Sequence, residues 1–328
     1  MHFKRSRKIE SAFFVFYPLS VTSQTRQNRR QKRKTGGQIM NAKQTDQLQD
    51  ETVKVIYFDI DQTLFSPSLG IPPSAKTALE TCRKRDIYTV ICTGRTPVTI
   101  QDEVLEQSWN GKICADGSWV EWNGKQLCAD YISYSPLDRI LKLCKTEEAG
   151  ISLETDAGPL MNAKAAEILN AMNKAKKSSA SKEKIVPQDN LERYTSQPVF
   201  KICLWLEEKD AAQSGIEHEI RSLVERHGLK LIQDCRSSDQ IYLEIIPGNS
   251  GKGRGVRMIE HALAGDQRGA IESYCFGDGL NDLDMFKAVK HSIAMGNAHP
   301  SLKEQAETIC EPAEENGIYN ELKRRCLI

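Results

Sequence analysis

The sequence predicts an α/β protein with a mostly parallel sheet that is interrupted by a smaller α+β insertion. Short runs rich in β-branched and aromatic residues at 55–58, 87–92 and 271–276 are typical of strands buried on both faces of a parallel sheet. Each run is followed by small or polar residues. In open α/β sheets, ligands bind at this end of the strands. Between residues 133 and 247, strands and helices occur without such polar strand ends, which favours a separate α+β insertion.

Length and charge limit the classes of protein to which the chain can belong. Its 328 residues suffice for about two domains. Residues 1–34 carry ten Lys or Arg and one acid, Glu10, which leaves 35 basic and 43 acidic residues, a net of −8, in the rest. This mildly acidic body argues against nucleic acid as the main partner.

The cysteines indicate the compartment. Ten are scattered through core-like segments, with no CxxC pair and no His-Cys cluster. This usage predicts reduced, mostly buried thiols in a cytoplasmic protein.

Residues 1–50 differ in composition from the rest of the chain. Basic clusters flank the apolar run 12–17, which is too short for a bilayer span of about 20 residues. We therefore expect a basic, disordered N-terminal extension and no membrane span, with Met40 as the more natural start. An arm that binds a membrane surface or RNA is the alternative.

The first predicted strand is followed by two carboxylates. Asp59 and Asp61 are separated by one residue, so in a continuing strand they share a face. Because like charges at this spacing repel, the arrangement suits a cation held between them or a proton taken up by one. The alternative is a polar turn after a core strand.

Two local elements follow from capping and turn signals. Ser74 is predicted to cap a helix, and strands 118–122 and 127–132 are predicted to pair as a hairpin closed by Asn123 and Gly124. The buried face of that helix is predicted to be Ala75, Ala78, Leu79 and Cys82.

The second buried strand ends in Thr93, Gly94 and Arg95. A hydroxyl and a small residue at a strand terminus allow an anion to approach the backbone closely. An ordinary turn is the alternative.

The insertion between residues 133 and 247 is predicted to begin with a helix whose apolar face holds Leu137, Ile140, Leu141 and Cys144. Its other predicted elements are strands at 151–154, 199–206, 229–234 and 241–246 and a helix at 216–227. The Lys/Ser/Ala-rich stretch 173–184 is interpreted as a solvated surface, with a basic lip over an anionic substrate as the alternative.

A glycine-rich turn precedes a helix at residues 247–253 and contains Lys252. A lysine at a helix N-terminus opposes the helix dipole, so its presence indicates an anion site rather than helix stabilisation. A solvent-exposed turn lysine is the alternative.

The strand at 271–276 ends in a second acidic loop. Asp278, Asn281 and Asp282 offer the hard oxygen ligands that Mg²⁺ prefers. An ordinary polar loop is the alternative, but a divalent ion would hold this loop and the first acidic strand end together. A helix at 283–289 and a strand at 292–295 are predicted to close the sheet.

The four stretches, in this order, resemble the four motifs of the haloacid dehalogenase (HAD) superfamily. The large insertion and the stretches at 250–253 and 277–282 are similar to the Cof-type branch of small-molecule phosphatases. The resemblance covers residues 54–328. Two positions depart from the family pattern: Gln62 stands where Gly is usual, and Asp116 stands where Asn is common.

The resemblance implies a role for each motif residue. Asp59 is the nucleophile that forms an aspartyl-phosphate, and Asp61 is the general acid and then the base. Phosphate is bound by the Ile60 amide, Thr93, Gly94, Lys252 and Asn281. Mg²⁺ is bound by Asp59, the backbone carbonyl of Asp61, Asp278 and Asp282, where Asp282 holds a metal-bound water or orients Lys252.

The resemblance also implies the domain organisation. A doubly wound, Rossmann-like core comprises residues 51–132 and 248–328, and an α+β cap comprises residues 133–247. Glu154, Asp156 and Arg193 are candidates for cap residues that face the crevice.

The implied function is a Mg²⁺-dependent phosphatase acting on small phosphorylated metabolites, such as sugar phosphates, pyridoxal phosphate or flavin mononucleotide. The protein is expected to be a monomer or homodimer. A sugar phosphomutase and a non-enzymatic sensor of phosphorylated metabolites are the alternatives. A mutase would require a bisphosphorylated sugar, and a sensor would lack the nucleophile or the lysine, both of which are present here.

Overall fold

The computed structural model describes residues 52–146, 149–175, 191, 197–207, 215–236, 240–266 and 269–328. The predicted extension at residues 1–50, the candidate Arg193 and most of the predicted surface stretch 173–184 lie outside these residues. Within the described part of the chain, no helix is long and apolar enough to cross a membrane.

The described residues form two sheets and their flanking helices. The strands are β1 (Val53–Phe58), β2 (Tyr88–Cys92), β3 (Gly111–Cys114), β4 (Trp119–Trp122), β5 (Lys125–Ala129), β6 (Gly150–Thr155), β7 (Gly158–Met161), β8 (Val199–Glu207), β9 (Leu229–Arg236), β10 (Gln240–Pro247), β11 (Ile271–Gly277), β12 (His291–Ala294) and β13 (Thr308–Ile309). The α-helices are α1 (Pro73–Lys84), α2 (Asp102–Leu105), α3 (Tyr134–Thr146), α4 (Ala163–Ala175), α5 (Ile216–Arg226), α6 (Lys252–Asp266), α7 (Leu283–Phe286), α8 (Pro300–Lys303) and α9 (Gly317–Arg324).

The larger sheet has eight strands in the order β13-β12-β11-β1-β2-β3-β4-β5. The strands from β13 to β3 are parallel, and β4 and β5 continue the sheet as the predicted antiparallel hairpin. Strand β1 lies between β11 and β2, and its residues Val55 to Phe58 have no exposed surface. This arrangement confirms the predicted Rossmann-like α/β fold.

Helices cover both faces of the eight-stranded sheet. Side chains alternate along each strand, so neighbouring residues of β1 pack against different helices. Ile56 and Phe58 point to one face and pack in a cluster with residues of α1 and α9. Val55 and Tyr57 point to the other face and pack with α6 and α7. Burial on both faces explains why these strands are continuous apolar runs in the sequence.

The smaller sheet has five antiparallel strands in the order β7-β6-β8-β10-β9. Helices α3 and α5 pack on one face, against Ile202 and Leu204 of β8. On the opposite face, α4 covers Cys203 and Trp205. All five strands come from residues 150–247, and the division of the chain into a core and a cap domain stays a prediction.

Three local predictions are wrong or incomplete. Ser74 does not cap α1, because the helix begins at Pro73 after Pro72 and has no side-chain cap. Proline fixes φ near its helical value at the first position, so this helix can start without a hydroxyl cap. Strand β12 is not the edge, because β13 pairs beyond it. Strand β7 was not predicted because its sequence, Gly-Pro-Leu-Met, has the glycine and proline of an edge strand.

Candidate active site

The carboxyl ends of β1, β2 and β11 meet at one edge of the eight-stranded sheet. The three strands are adjacent and parallel, so the loops that follow them emerge side by side. Asp59 follows β1, Thr93 follows β2 and Asp278 follows β11. The sheet topology therefore assembles three of the four motifs, and α6 brings Lys252, its first residue, to the same place.

Lys252 is the central cation of this site. Its ammonium donates hydrogen bonds to Oδ1 of Asp59 at 2.7 Å and to Oδ1 of Asp282 at 2.5 Å. Its side chain has no exposed surface. Although burial lowers the pKa of Lys252, the carboxylates of Asp282 and Asp59 raise it well above its ordinary value. The alternative of an exposed turn lysine is therefore wrong.

Asp282 organises the loop after β11. Its Oδ2 accepts hydrogen bonds from the backbone N–H groups of Asp278 and Gly279, both at 3.0 Å, while its Oδ1 faces Lys252. A Cβ atom on Gly277 would lie 2.6 Å from Oδ2 of Asp282, so only glycine fits there. Because both oxygens of Asp282 are engaged, the geometry favours its predicted role in orienting Lys252.

The acidic side chains form a group suited to a hard divalent cation. Carboxylate oxygens of Asp59, Asp278 and Asp282 all lie within 4.8 Å of one another. Burial and the neighbouring Asp282 raise the pKa of Asp278 to about 7, and burial raises the pKa of Asp59 well above its ordinary value. Three carboxylates beside one ammonium leave excess negative charge, so the residues present fit a bound divalent metal.

The carboxylate of Asp61 pairs with Arg95, a contact that the sequence did not reveal. Arg95 donates from Nε and Nη2 to the two carboxylate oxygens of Asp61, each at 2.7 Å, and from Nη1 to the carbonyl of Thr99. Burial raises the pKa of Asp61, but the hydrogen bonds and charge of Arg95 lower it below its ordinary value. Only its backbone carbonyl was predicted to bind metal, so this side-chain position is compatible with that prediction.

The loop after β2 lies against Asp116, one of the two departures from the family pattern. A Cβ atom on Gly94 would lie 3.0 Å from Oδ2 of Asp116, so the carboxylate packs directly on the Gly94 backbone. Asn281 donates from Nδ2 to Oδ1 of Asp116 at 2.9 Å. Thr93 and the main chain at Ile60 are buried beside Asp59 and Gly94. The predicted phosphate-binding residues are thus neighbours, and their individual roles stay predictions.

Lys201 of β8 reaches this site from the five-stranded sheet, and sequence reasoning did not identify it. Its ammonium donates to the carbonyl of Gly94 at 2.9 Å and to Oδ2 of Asp116 at 3.3 Å. The signal was present, because Lys201 is the one charged residue in the apolar run 199–204. Of the predicted crevice residues, Glu154 is partly buried and burial raises its pKa, whereas Asp156 is exposed.

A cleft of about 270 Å³ opens between the two sheets. Asp116, Lys252 and Asn281 line one side of the cleft, and Lys230 and Ile232 of β9 line the other. The cleft therefore connects the motif residues with side chains of the five-stranded sheet. Its position suits a group attached to a phosphate held at Lys252.

Comparisons with known proteins identify the family of the chain. The model of the haloacid dehalogenase-like hydrolase family matches residues 56–322. A putative phosphatase of Bacillus subtilis, YkrA, is 25% identical over 275 residues, covering 84% of this chain and 98% of that protein. The pyridoxal phosphate phosphatase YbhA of Escherichia coli is 23% identical over 267 residues, covering 79% of this chain and 93% of that protein.

Solved structures show the same fold. A phosphatase of the HAD enzyme superfamily from Bacteroides thetaiotaomicron superposes with a TM-score of 0.68 at 20% identity, covering 90% of this chain and all of the other. At this identity the likeness establishes the fold alone. The family match spans most of the chain and confirms the resemblance drawn from the four motifs. This chain therefore belongs to the haloacid dehalogenase-like hydrolases and is an enzyme of that family.

Proposed function

We propose that this enzyme is a Mg²⁺-dependent phosphatase that hydrolyses phosphate monoesters of small metabolites through an aspartyl-phosphate intermediate. The observation that carries the proposal is the buried ammonium of Lys252 between Asp59 and Asp282, beside Asp278 at the sheet edge. This arrangement combines an anionic nucleophile with the positive charge that an anionic substrate needs.

The phosphate would be held where the motif residues meet. Lys252 supplies an ammonium, Asn281 an amide, Thr93 a hydroxyl, and Ile60 and Gly94 their backbone. Hydrogen-bond donors at fixed positions stabilise the charge that spreads over the phosphoryl oxygens in the transition state. Asp116 holds Asn281 from one side and leaves the second N–H of its amide for the phosphate.

The metal would be held by Asp59, Asp278 and the backbone carbonyl of Asp61, with Asp282 in support through Lys252. A divalent cation at this position screens the negative charges of the nucleophile and phosphate from each other. Thr63 donates to Oδ1 of Asp278 at 2.9 Å and so orients that carboxylate.

The reaction would proceed in two steps at phosphorus. A carboxylate oxygen of Asp59 attacks phosphorus as the bond to the leaving oxygen breaks, and Asp61 gives that oxygen a proton. Water then attacks the phosphorus of the aspartyl-phosphate and gives a proton to Asp61, which releases phosphate and restores both carboxyl groups. In the free protein Arg95 holds Asp61 as an ionised carboxylate through two hydrogen bonds, so Asp61 would have to release one of these bonds and take up a proton before it could act as the acid.

The five-stranded sheet and its helices would act as a cap that contacts the leaving group. The relatives YkrA and YbhA are named as phosphatases, and YbhA is named for pyridoxal phosphate. The cleft between Lys230 and Lys252 has room for a small leaving group of this kind. We place the substrate among small phosphorylated metabolites, including sugar phosphates, pyridoxal phosphate and flavin mononucleotide.

The test is phosphate release from a panel of these metabolites with Mg²⁺, with chelator in place of Mg²⁺, and with the Asp59→Asn variant. The proposal expects release from at least one metabolite that requires both Mg²⁺ and Asp59. Release that persists in chelator or in the variant would refute the mechanism. A reaction that transfers phosphate only when a bisphosphorylated sugar is added would identify a mutase instead.

A further inference from the structure

Lys201 is a buried lysine whose charge is fully satisfied by the protein. It lies on the same face of β8 as Cys203 and Trp205, and only 6% of its surface is exposed. Its ammonium lies 2.9 Å from the Gly94 carbonyl, 3.3 Å from Asp116 and 3.4 Å from Oε2 of Glu244. An ammonium has three N–H donors, and three acceptors surround it here.

Three acceptors surround this ammonium, one for each of its N–H donors, so it is poorly suited to bind an anionic substrate. Asp116 lies in the turn between β3 and β4 of the eight-stranded sheet, and Glu244 lies on β10 of the five-stranded sheet. Although burial lowers the pKa of Lys201, the charges of Glu244 and Asp116 raise it well above its ordinary value. The lysine therefore joins the two sheets as a permanent cation, and a substrate would have to displace these partners to reach it.

Asp116 connects Lys201 with two of the predicted phosphate-binding residues, Gly94 and Asn281. Its Oδ2 accepts from Lys201 and lies against the Cα of Gly94, while its Oδ1 accepts from Asn281. One carboxylate thus touches the loops after β2 and β11 and the five-stranded sheet. Asp116 itself has 1% of its surface exposed, so these contacts account for both of its oxygens.

The backbone around Asp116 is held in an unfavourable conformation. Ala115, Asp116 and Gly117 have φ values of 48°, 51° and 83°, three successive left-handed residues. The backbone N–H of Ala115 donates to the carbonyl of Arg95, and that of Asp116 donates to the carbonyl of Thr93. Such strain persists only where surrounding contacts enforce it, and it is concentrated at functional positions. The contacts here are with the loop that carries Gly94.

We propose that Lys201 is a positioning residue that sets the orientation of Gly94 and Asn281 through Asp116. By this inference, packing of the five-stranded sheet completes the phosphate site without touching the substrate. The inference rests on the proposed function, because it assigns Lys201 a part in binding the phosphoryl group. It distinguishes Lys201 from Lys230 and Ile232, which face the cleft and would contact the leaving group.

The test measures binding of inorganic phosphate by titration calorimetry with Mg²⁺, together with kcat and KM for p-nitrophenyl phosphate and pyridoxal phosphate. Lys201→Met removes the donors at similar side-chain length. Asp116→Gly removes the carboxylate and tolerates a φ of 51°. Asp116→Asn keeps an oxygen that accepts from Lys201, and asparagine also tolerates that φ. Lys164→Met is the control, because it removes a lysine of α4 that pairs with Glu207 of β8 at 2.7 Å, away from the motif loops.

We expect Lys201→Met and Asp116→Gly each to raise the Kd of inorganic phosphate about tenfold and to lower kcat/KM equally for both substrates. The double variant should bind phosphate about tenfold more weakly than the wild type rather than about a hundredfold, because the two residues act through one contact. Asp116→Asn should raise the phosphate Kd less than Asp116→Gly does, because its one amide oxygen can still accept from Lys201 although no second oxygen accepts from Asn281. Lys164→Met should be unchanged.

Four results would overturn the inference: an unchanged phosphate Kd in folded variants, a change in kcat/KM confined to one substrate, losses that add in the double variant, or an Asp116→Asn variant as impaired as Asp116→Gly. If Lys201→Met does not fold, the inference is tested by comparing the phosphate Kd of Asp116→Gly with that of Asp116→Asn. The phosphate Kd is measured without turnover, so a wild type that binds phosphate but releases phosphate from no metabolite of the panel would refute the proposed function alone.

Discussion

The ammonium nitrogen of Lys252 lies 2.7 Å from Oδ1 of Asp59, and both side chains are buried. The two residues are 193 positions apart in the sequence, yet Lys252, the first residue of α6, lies beside Asp59 at the end of β1. A lysine at a helix N-terminus costs energy against the helix dipole unless a carboxylate compensates. Here two carboxylates do so, and the result is a cation fixed beside the proposed nucleophile.

Lys252→Met should therefore lose both stability and activity. Two buried carboxylates would be left without their partner, which costs about 3–5 kcal/mol in the free energy of unfolding. The missing charge should lower kcat/KM by about 10²–10³-fold. Urea denaturation and steady-state kinetics measure the two effects. Lys290→Met is the control, because Lys290 is exposed and lies 3.8 Å from Glu272. A Lys252→Met variant within threefold of wild-type activity would exclude Lys252 from the phosphate site.

Asp59→Asn should abolish turnover without unfolding the protein. An amide is no nucleophile, so phosphate release should fall by more than about 10³-fold. Burial raises the pKa of Asp59, so its charge is unfavourable in the metal-free protein, and Lys252 keeps Asp282 as its partner. The melting temperature should therefore change little. The matched control is Asp86→Asn, an exposed position with a φ of 54° that asparagine tolerates. Substantial phosphate release by Asp59→Asn would assign the nucleophile elsewhere.

The sequence could indicate which motif residues lie together because each one follows a local signal. Asp59, Thr93 and Asp278 come directly after buried strands, and parallel strands bring their ends together without further information. Lys252 was identified by its conflict with the helix dipole. In each case a few neighbouring residues carry the prediction.

The contacts between the two sheets could not be predicted in this way. Lys201 and Asp116 are 85 positions apart, and their contact depends on how the five-stranded sheet packs on the other. Periodicity identifies which residues of β8 share a face but not what that face meets. The pairing of Arg95 with Asp61 was missed for a similar reason, because side-chain direction in a loop has no sequence period.

Asp278 should make the stability of the metal-free protein depend on pH. Its pKa of about 7 in the folded protein exceeds the ordinary 3.8, so the folded state binds the proton more tightly than the unfolded state. The corresponding stabilisation is present at low pH and is lost as the pH rises through about 7. In chelator, raising the pH from 5 to 8 should therefore cost the wild type about 2–3 kcal/mol more than Asp278→Asn.

The measurement is the free energy of unfolding in urea at several pH values, with wild type and Asp278→Asn compared so that other titrating groups cancel. Mg²⁺ should restore stability to the wild type at pH 8, because the ionised carboxylate binds it, and should do so less in the variant. Parallel pH profiles for the two proteins in chelator would contradict the assignment.

Asp61→Asn should separate the two carboxylates that follow β1. In this variant Asp59 remains as nucleophile and the backbone carbonyl at position 61 is unchanged, so only the proton for the leaving group and the base for water are lost. General acid–base catalysis contributes about 10²–10⁴-fold. Asparagine also keeps an oxygen that can accept from Arg95, which preserves the local packing.

The loss in Asp61→Asn should depend on the leaving group. An aryl phosphate with an acidic phenol leaves without a proton, so formation of the aspartyl-phosphate should be nearly normal, whereas an alkyl phosphate needs the missing acid. Hydrolysis of the intermediate stays slow for both, because the base is absent. Rapid-mix kinetics should therefore show a burst of phenol, close to one equivalent per enzyme, followed by a slow phase. Equal losses on aryl and alkyl phosphates without a burst would mean that another residue moves the proton, while Asp59 could still be the nucleophile.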